Sequence, residues 1–435
     1  MTYKQVKPFL RIWLLLLAGF AFWTVWDSRY NRGIWFLLVG GLFGVFLLAA
    51  FLTPRLKENA KLPPCNPEAA GRLSWLLGAG GVLLVLALFN LRFYLLNYAS
   101  MRGMLLVGYA GLAGIALANC RKKADPFLMT AAILLGLGAF YRVLAFGAEL
   151  QSGPFALGWS EGSRFYNAST FFSKIVYGQK LPWPVLHPSR YLMQALPFLL
   201  GIKSILAHRV WQVLLWLVFC GWGGWLTAKR LAKPGKFPLI WLFLFVFLFF
   251  FQGVVYYHLM VVVILTLLGY RRDRPWRTLV FVVLASLWAG ISRVNWVPVA
   301  GLFATSLWLL DEPFDGKNWL RYLSWPAVWT LAGAAVGLLS KELYIGMSGE
   351  PASYFDSAFS SALLWYRLWP NATFFLGILP GILLVCLPTA VLMWKKLKAR
   401  ELGELHWLRW LGSAGILAVF FAGGLIVSVK IGGGG

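Results

Sequence analysis

Carboxylates are scarce in this sequence: 15 aspartates and glutamates stand against 40 lysines and arginines, and charged residues of both signs make up 13% of the chain. Soluble domains carry roughly twice that fraction, so a soluble fold is excluded. No acid lies near the centre of any long apolar block. That argues against a carboxylate-relay proton pump or a cation transporter, which rely on intramembrane acids. Cysteine is scarce as well. Cys65, Cys120, Cys220 and Cys386 have no metal-ligand spacing and give no disulfide framework; all four read as reduced packing residues. A signal-peptide cleavage site is also lacking. Met1 to Arg11 carries Lys4, Lys7 and Arg11, but no small-residue site follows in the next apolar block, which reads as a retained first helix.

What is present is hydrophobic: 60% of residues are apolar and 17% aromatic, with a mean hydropathy of +0.71. The apolar residues arrive in blocks of roughly 15–22, enough to cross about 30 Å of hydrocarbon at 1.5 Å per residue. In lipid such blocks must be helices, because every backbone polar group has to be satisfied within its own segment. They run Ile12–Trp26, Gly33–Leu52, Leu73–Leu91, Gly103–Cys120, Phe127–Ala145, Val210–Leu226, Phe237–Phe251, Val254–Tyr270, Thr278–Ile291, Trp296–Leu310, Ser324–Leu339, Thr373–Trp394 and Trp407–Val427. The expectation is an all-α, polytopic membrane bundle of about 13 transmembrane helices, with amphipathic helices lying at the interface. A further block, Tyr191–Leu206, is interrupted by Pro197, Gly201 and Lys203 and reads as lateral or re-entrant.

A formal charge of +25 would suggest nucleic acid in a soluble protein. Here the basic residues sit between apolar blocks, as the positive-inside bias of cytoplasmic loops requires, so membrane lipids and no nucleic acid are the expected partners. The clusters are Arg121, Lys122 and Lys123; Lys229, Arg230, Lys233 and Lys236; Arg271, Arg272, Arg274 and Arg277; and Lys395, Lys396, Lys398 and Arg400. All fall on one side if Tyr191–Leu206 does not cross, which puts the N-terminus in the cytoplasm and the C-terminus outside. Residues 1–126 then form a four-helix extension to a core of 127–435, all within one transmembrane domain. Two connections, 146–190 and 340–372, are long and external, and long ordered loops are where function concentrates.

The external acids in this topology are Asp27, Glu149, Glu161, Glu342, Glu350 and Asp356. In the first long loop Phe165, Ala168, Phe171, Phe172, Ile175 and Val176 recur at helical spacing, which predicts an amphipathic helix over Ser163–Tyr177. Ser163 is placed to cap it and Gly178 to end it. Glu161 then lies in the turn before a helix N-terminus, where the dipole favours a carboxylate. The plainer reading is that Glu161 completes the cap and pairs with Arg164.

An acid in the first large external loop, followed by Tyr166, an amphipathic helix, Gly178 and then His187, Pro188, Ser189, Arg190 and Tyr191, resembles the GT-C membrane glycosyltransferases. The likeness is to their protein mannosyltransferase and aminoarabinose transferase branch. In topology it covers about 127–427, in motif only 158–191. Those enzymes carry Asp or Asp-Glu where this chain has Ser160-Glu161, and Pro-Pro-Leu where it has Pro188-Ser189-Arg190. The resemblance implies transfer of a sugar from a polyprenyl-phosphate donor to an acceptor hydroxyl at the external face. Glu161 would be its catalytic carboxylate and inversion its outcome. No cofactor is implied, and a divalent metal is left open.

Other external residues fit such a site. Tyr256, Tyr257 and His258 fall at one external helix end, and Arg293 and Asn295 at another. With Arg164, Arg190, His187 and Lys430 they supply candidates for substrate binding, Arg293 first, because a guanidinium matches phosphate oxygens. The alternatives are an interfacial anchor for Arg293 and satisfied structural roles for His187 and His258. The second long loop, from Tyr354 to Trp369, reads as a further interfacial segment. Beyond Lys430 the sequence runs Ile431 to Gly435, where many such enzymes continue into an external soluble domain; this one either lacks it or is cut short. Two rival functions remain: a lipid-linked glycan flippase or transporter, which needs a cavity open to both sides, and a non-catalytic membrane scaffold, which would tolerate loss of every polar residue named above.

Overall fold

The computed structural model describes residues 3–27, 34–53, 69–91, 98–121, 124–147, 150–153, 161–232, 238–293, 296–312, 318–356, 369 and 380. Among these the chain is helical, without strands. Every apolar block predicted between residues 12 and 339 coincides with a helix: α1 (Tyr3–Asp27), α2 (Ile34–Leu52), α3 (Ala69–Asn90), α4 (Ala99–Cys120), α5 (Pro126–Gly147), α10 (Ile205–Leu231), α11 (Leu239–Phe251), α12 (Met260–Gly269), α13 (Pro275–Gly290), α14 (Val299–Asp311) and α15 (Trp319–Ser348). Between α5 and α10 lie the short α6 (Glu161–Ser169), α7 (Ser173–Tyr177), α8 (Pro188–Gln194) and α9 (Leu196–Leu199), and α16 (Ala352–Asp356) follows α15. The blocks Thr373–Trp394 and Trp407–Val427 lie outside the described residues.

By length and composition, 6 of these helices can cross a membrane, or up to 7 if α11 and α12 count as one broken span. The two had been expected to cross separately. At 13 and 10 residues each falls short of the roughly 20 that a bilayer core requires. The interrupted block Tyr191–Leu206 divides into helices of 7 and 4 residues, far below that length.

The described chain forms two compact units, Met1–Glu149 with Leu231–Phe249 and Leu150–Arg230 with Phe250–Gly435. In the first, helices approach closely where side chains are small, as packing in lipid demands. A Cβ at Gly111 would overlap the Trp13 ring, and one at Gly114 would overlap Thr130. Trp13 donates to the Val107 carbonyl at 2.9 Å, and Thr24 bonds Ser100 at 2.8 Å, joining α1 to α4. Arg121 reaches Ser74 at 3.4 Å, so α3 and α4 are antiparallel neighbours. One expectation is corrected here. Cys120, read as reduced, is disulfide-bonded, with its partner outside the described residues. Antiparallel packing brings together positions that sequence spacing leaves far apart. Cys220 is a free, buried thiol, as expected.

In the second unit, Trp329 of α15 is fully buried among Val262, Val282, Ala285, Ala289, Ala300 and Ala304. Gly290 and Gly301 let α13 and α14 reach the α15 backbone at Gly337 and Trp329. Pro326 interrupts α15 and cannot bond the carbonyl four residues back. That carbonyl, of Tyr322, accepts instead from Trp308 Nε1 at 3.1 Å, so a neighbouring helix satisfies the freed group.

The helices of this unit alternate in direction and give it two ends. At one end Arg230 at the close of α10 stacks over Tyr270 at 4.8 Å and pairs with Asp311 of α14. There Arg272 pairs with Glu312, and Tyr322 at the start of α15 donates to the Glu312 carbonyl at 2.9 Å. The opposite end gathers α6 to α9, the start of α10, the close of α13 and the close of α15. Trp183 stacks on Tyr344 with centroids 6.0 Å apart and donates to the Ser348 carbonyl at 2.8 Å. The described parts of the two long connections therefore meet at the end opposite Arg230 and Arg272.

Candidate functional site

The amphipathic helix predicted over Ser163–Tyr177 starts two residues earlier, at Glu161, and is broken by a 3-10 turn at Thr170–Phe172. The break has a local cause. Ser169 and Thr170 hydroxyls bond back to the carbonyls of Tyr166 and Asn167 at 2.7 and 2.9 Å, competing with regular helix geometry. Gly178 ends α7 in the left-handed region at φ 74°, the terminator expected of it. Ser163 lies inside α6, so the capping position assigned to it is corrected.

Glu161 is 2% exposed, and its partner is Arg209 of α10 rather than Arg164. Arg209 Nε donates to Oε1 at 2.7 Å and Nη2 to Oε2 at 2.8 Å, while Nη1 donates to the Gln151 carbonyl. Arg209 itself is fully buried. A two-pronged guanidinium–carboxylate pair of this kind is the strong form of the contact, and it engages both oxygens of Glu161. It ties α6 to the first turns of α10.

Next to this pair lies a run of cations. Arg164 is buried; burial lowers its pKa, Arg190 lowers it further, and Glu161 opposes both. Arg190 follows Ser189 in α8; its Nε is buried without a hydrogen-bond partner among the described residues, and its guanidinium lies 5.8 Å from the Tyr191 ring. Its carbonyl accepts from the buried Tyr257 hydroxyl at 3.0 Å. Arg293, just past α13, lies over the Tyr256 ring at 5.0 Å and donates through Nε to His187 Nδ1 at 3.3 Å. His187 precedes α8 with φ 52°, the one non-glycine residue with positive φ among those described, a conformation that costs energy. Burial first, then Arg293 and Arg190, push its pKa down to about 4, so it is neutral at pH 7.

Ser189 holds these pieces together. Its N–H donates to the Ile291 carbonyl at 3.0 Å, and its hydroxyl bonds His258 Nδ1 at 2.8 Å and Ser292 Oγ at 2.7 Å. One buried residue thus links α8, which carries Arg190, to the 3-10 turn Val254–Leu259 and to the end of α13, which carries Arg293.

Of the residues singled out in the sequence, the structure brings together Glu161, Arg164, His187, Arg190, Tyr256, Tyr257, His258 and Arg293. Tyr166 is exposed on α6. Asn295 and Lys430 lie outside the described residues, as do Glu149 and the side chain of Asp356. Glu342 is exposed and pairs with Lys341 at 3.1 Å. Arg209, Ser189 and Ser292 were missed. The signal for Arg209 was available: an arginine leading straight into a long apolar block is a marked position by default.

The fold and site together define a polytopic α-helical membrane protein with a partly buried cationic cluster at one end of a helix bundle. Compared with known proteins, the chain matches no family model, no curated protein and no solved structure. Among the described residues no group of three or more His, Cys, Asp or Glu could hold a metal ion.

Proposed function

We propose that this protein is a membrane glycosyltransferase that takes a sugar from a polyprenyl-phosphate donor and passes it to an acceptor hydroxyl at the external membrane face. In this reading the bundle is GT-C-like with about 13 crossings, its N-terminus cytoplasmic and its C-terminus outside. The observation that carries the proposal is the charge imbalance at one end of the second unit. Arg164, Arg190, Arg209 and Arg293 converge there around the carboxylate of Glu161, which Arg209 engages through both oxygens. The half-buried guanidiniums of Arg190 and Arg293, which form no ion pair among the described residues, call for an anion, and a phosphate at the membrane surface fits the fork geometry of arginine.

Arg190 and Arg293 would bind the donor phosphate and neutralise it as it leaves. The Glu161–Arg209 pair fixes α6, and with it Arg164. Glu161 therefore acts as a positioning group, because neither oxygen is presented to a substrate. The test is transfer of a radiolabelled sugar from polyprenyl-phosphate donors by the purified chain in nanodiscs. Arg190→Ala is expected to lose most of that transfer. Undiminished transfer in Arg190→Ala and Arg293→Ala together would return the cluster to a structural role.

A further inference from the structure

The hydrogen-bond chain through Ser189 fixes the tautomer of His258 through the number of protons it holds. Ser292 Oγ lies 2.7 Å from the Trp288 carbonyl. A carbonyl only accepts, so the one proton of Ser292 is committed there. The 2.7 Å contact between Ser189 and Ser292 must then use the proton of Ser189. The 2.8 Å contact between Ser189 and His258 Nδ1 in turn must use a proton on Nδ1. In the neutral ring this leaves Nε2 as a bare lone pair. His258 is fully buried, and Nε2 has no partner among the described residues. Trp288 Nε1 also donates to the His258 carbonyl at 2.8 Å, so backbone and ring are both held.

The ring lies 6.1 Å from that of His187 and within electrostatic range of Arg190 and Arg293. The cationic donors of this end, including the unpartnered Arg190 Nε, thus lie near an acceptor with no partner among the described residues, His258 Nε2. We propose that His258 Nε2 accepts a hydrogen bond from a ligand hydroxyl next to the phosphate held by Arg190 and Arg293, so that the site selects a phosphodiester bearing a nearby hydroxyl. This rests on the donor-binding reading above. In an in-line displacement the incoming hydroxyl approaches from the side opposite the leaving phosphate. A group clustered with the phosphate ligands therefore meets the donor's own sugar, which makes His258 a specificity-determining residue and Ser189 and Ser292 its positioning residues. A hydroxylated phospholipid headgroup shares this chemistry.

The test uses the full chain in nanodiscs and has a ligand-free arm and a binding arm. Nitrogen-15 NMR of labelled histidine, read without ligand, is expected to place the proton of His258 on Nδ1. Ser292→Ala frees Ser189 to donate to Nδ1 and is expected to give mixed tautomers, while Ser292→Thr, which keeps the hydroxyl, restores the single form. In the binding arm, a polyprenyl-phosphate hexose is expected to bind about tenfold more tightly than its 2-deoxyhexose analogue. That preference should shrink in Ser292→Ala and vanish in His258→Phe. A wild-type proton on Nε2, or equal binding of the two probes, overturns the inference. A preference for phosphatidylglycerol over phosphatidic acid with none between the sugars assigns the site to membrane lipid and overturns the sugar version. If neither sugar lipid binds, the donor-binding reading fails and the hydroxyl preference falls with it, whereas the tautomer measurement judges the proton relay by itself.

Discussion

The two ends of the second unit use the same residue type in opposite ways. At one end Arg230 and Arg272 pair with Asp311 and Glu312, and their side chains keep 30% and 58% of their exposure; Arg271, Arg274 and Arg277 are there too, around a cavity of about 270 Å³ that also includes Asp273. Water and headgroups solvate these charges, and each ion pair is worth little. At the other end Arg209 and Arg164 are 0% and 5% exposed. Removing a guanidinium from water costs several kcal/mol unless it is paired, and Glu161 supplies that pairing to Arg209. Arginine number therefore does not tell the two ends apart, and arginine desolvation does.

The comparison is broken most severely by cutting one buried and one exposed pair. Glu161→Ala leaves Arg209 buried without its counter-ion and is expected to cost about 3–5 kcal/mol, against less than about 1 kcal/mol for Asp311→Ala. Thermal unfolding in one detergent compares them directly, and equal shifts would mean that the burial contrast has no energetic content. Next in size is donor affinity. Arg190→Ala or Arg293→Ala removes a charge-assisted contact worth roughly 1.5–3 kcal/mol and should weaken polyprenyl-phosphate binding about tenfold or more. Arg274→Ala, at the opposite end, should leave that affinity unchanged.

Acid sharpens the contrast. His187 is held at about 4 against an ordinary 6.5, so below pH about 6.5 the unfolded chain takes up a proton that the folded chain refuses. The stability involved is complete above pH about 6.5 and is lost as pH falls toward about 4, up to about 3 kcal/mol in all. His187→Gln should flatten the pH dependence of unfolding across that window, and an unchanged profile would remove His187 as its source. The smallest effect lies in the helix packing. Trp308→Phe removes the donor to the Tyr322 carbonyl and should cost about 1 kcal/mol. The loss should shrink in a Pro326→Ala background, where the restored N–H competes for the same carbonyl; a double-mutant cycle reads the coupling.

Helix positions were legible because apolar blocks in lipid have no other way to satisfy their backbone. Which of them span was less so: α11 and α12 are too short singly, and hydropathy does not register how a chain turns at Gln252 and Gly253. At the site, Glu161, Arg190 and Arg293 were found from helix ends and loop context. Their partners were not. Glu161 was matched to Arg164, three residues away on the same helix, whereas the bond runs to Arg209, 48 positions on. Ser189 joins residues 69 and 103 positions away. Local periodicity carries no information at those distances. Serine also gives no compositional signal, since its role comes from burial and from the count of protons it shares.

The most direct measurement of which end receives the donor is photocrosslinking. A polyprenyl phosphate with a photoreactive group beside the phosphate, activated on the full chain in nanodiscs and mapped by mass spectrometry, is expected to label residues around His187–Arg190 and Ile291–Arg293. Arg190→Ala and excess unlabelled donor should suppress that labelling. Labelling concentrated at Arg271–Arg277, indifferent to Arg190, would contradict the proposal that the Arg190–Arg293 cluster is the donor site.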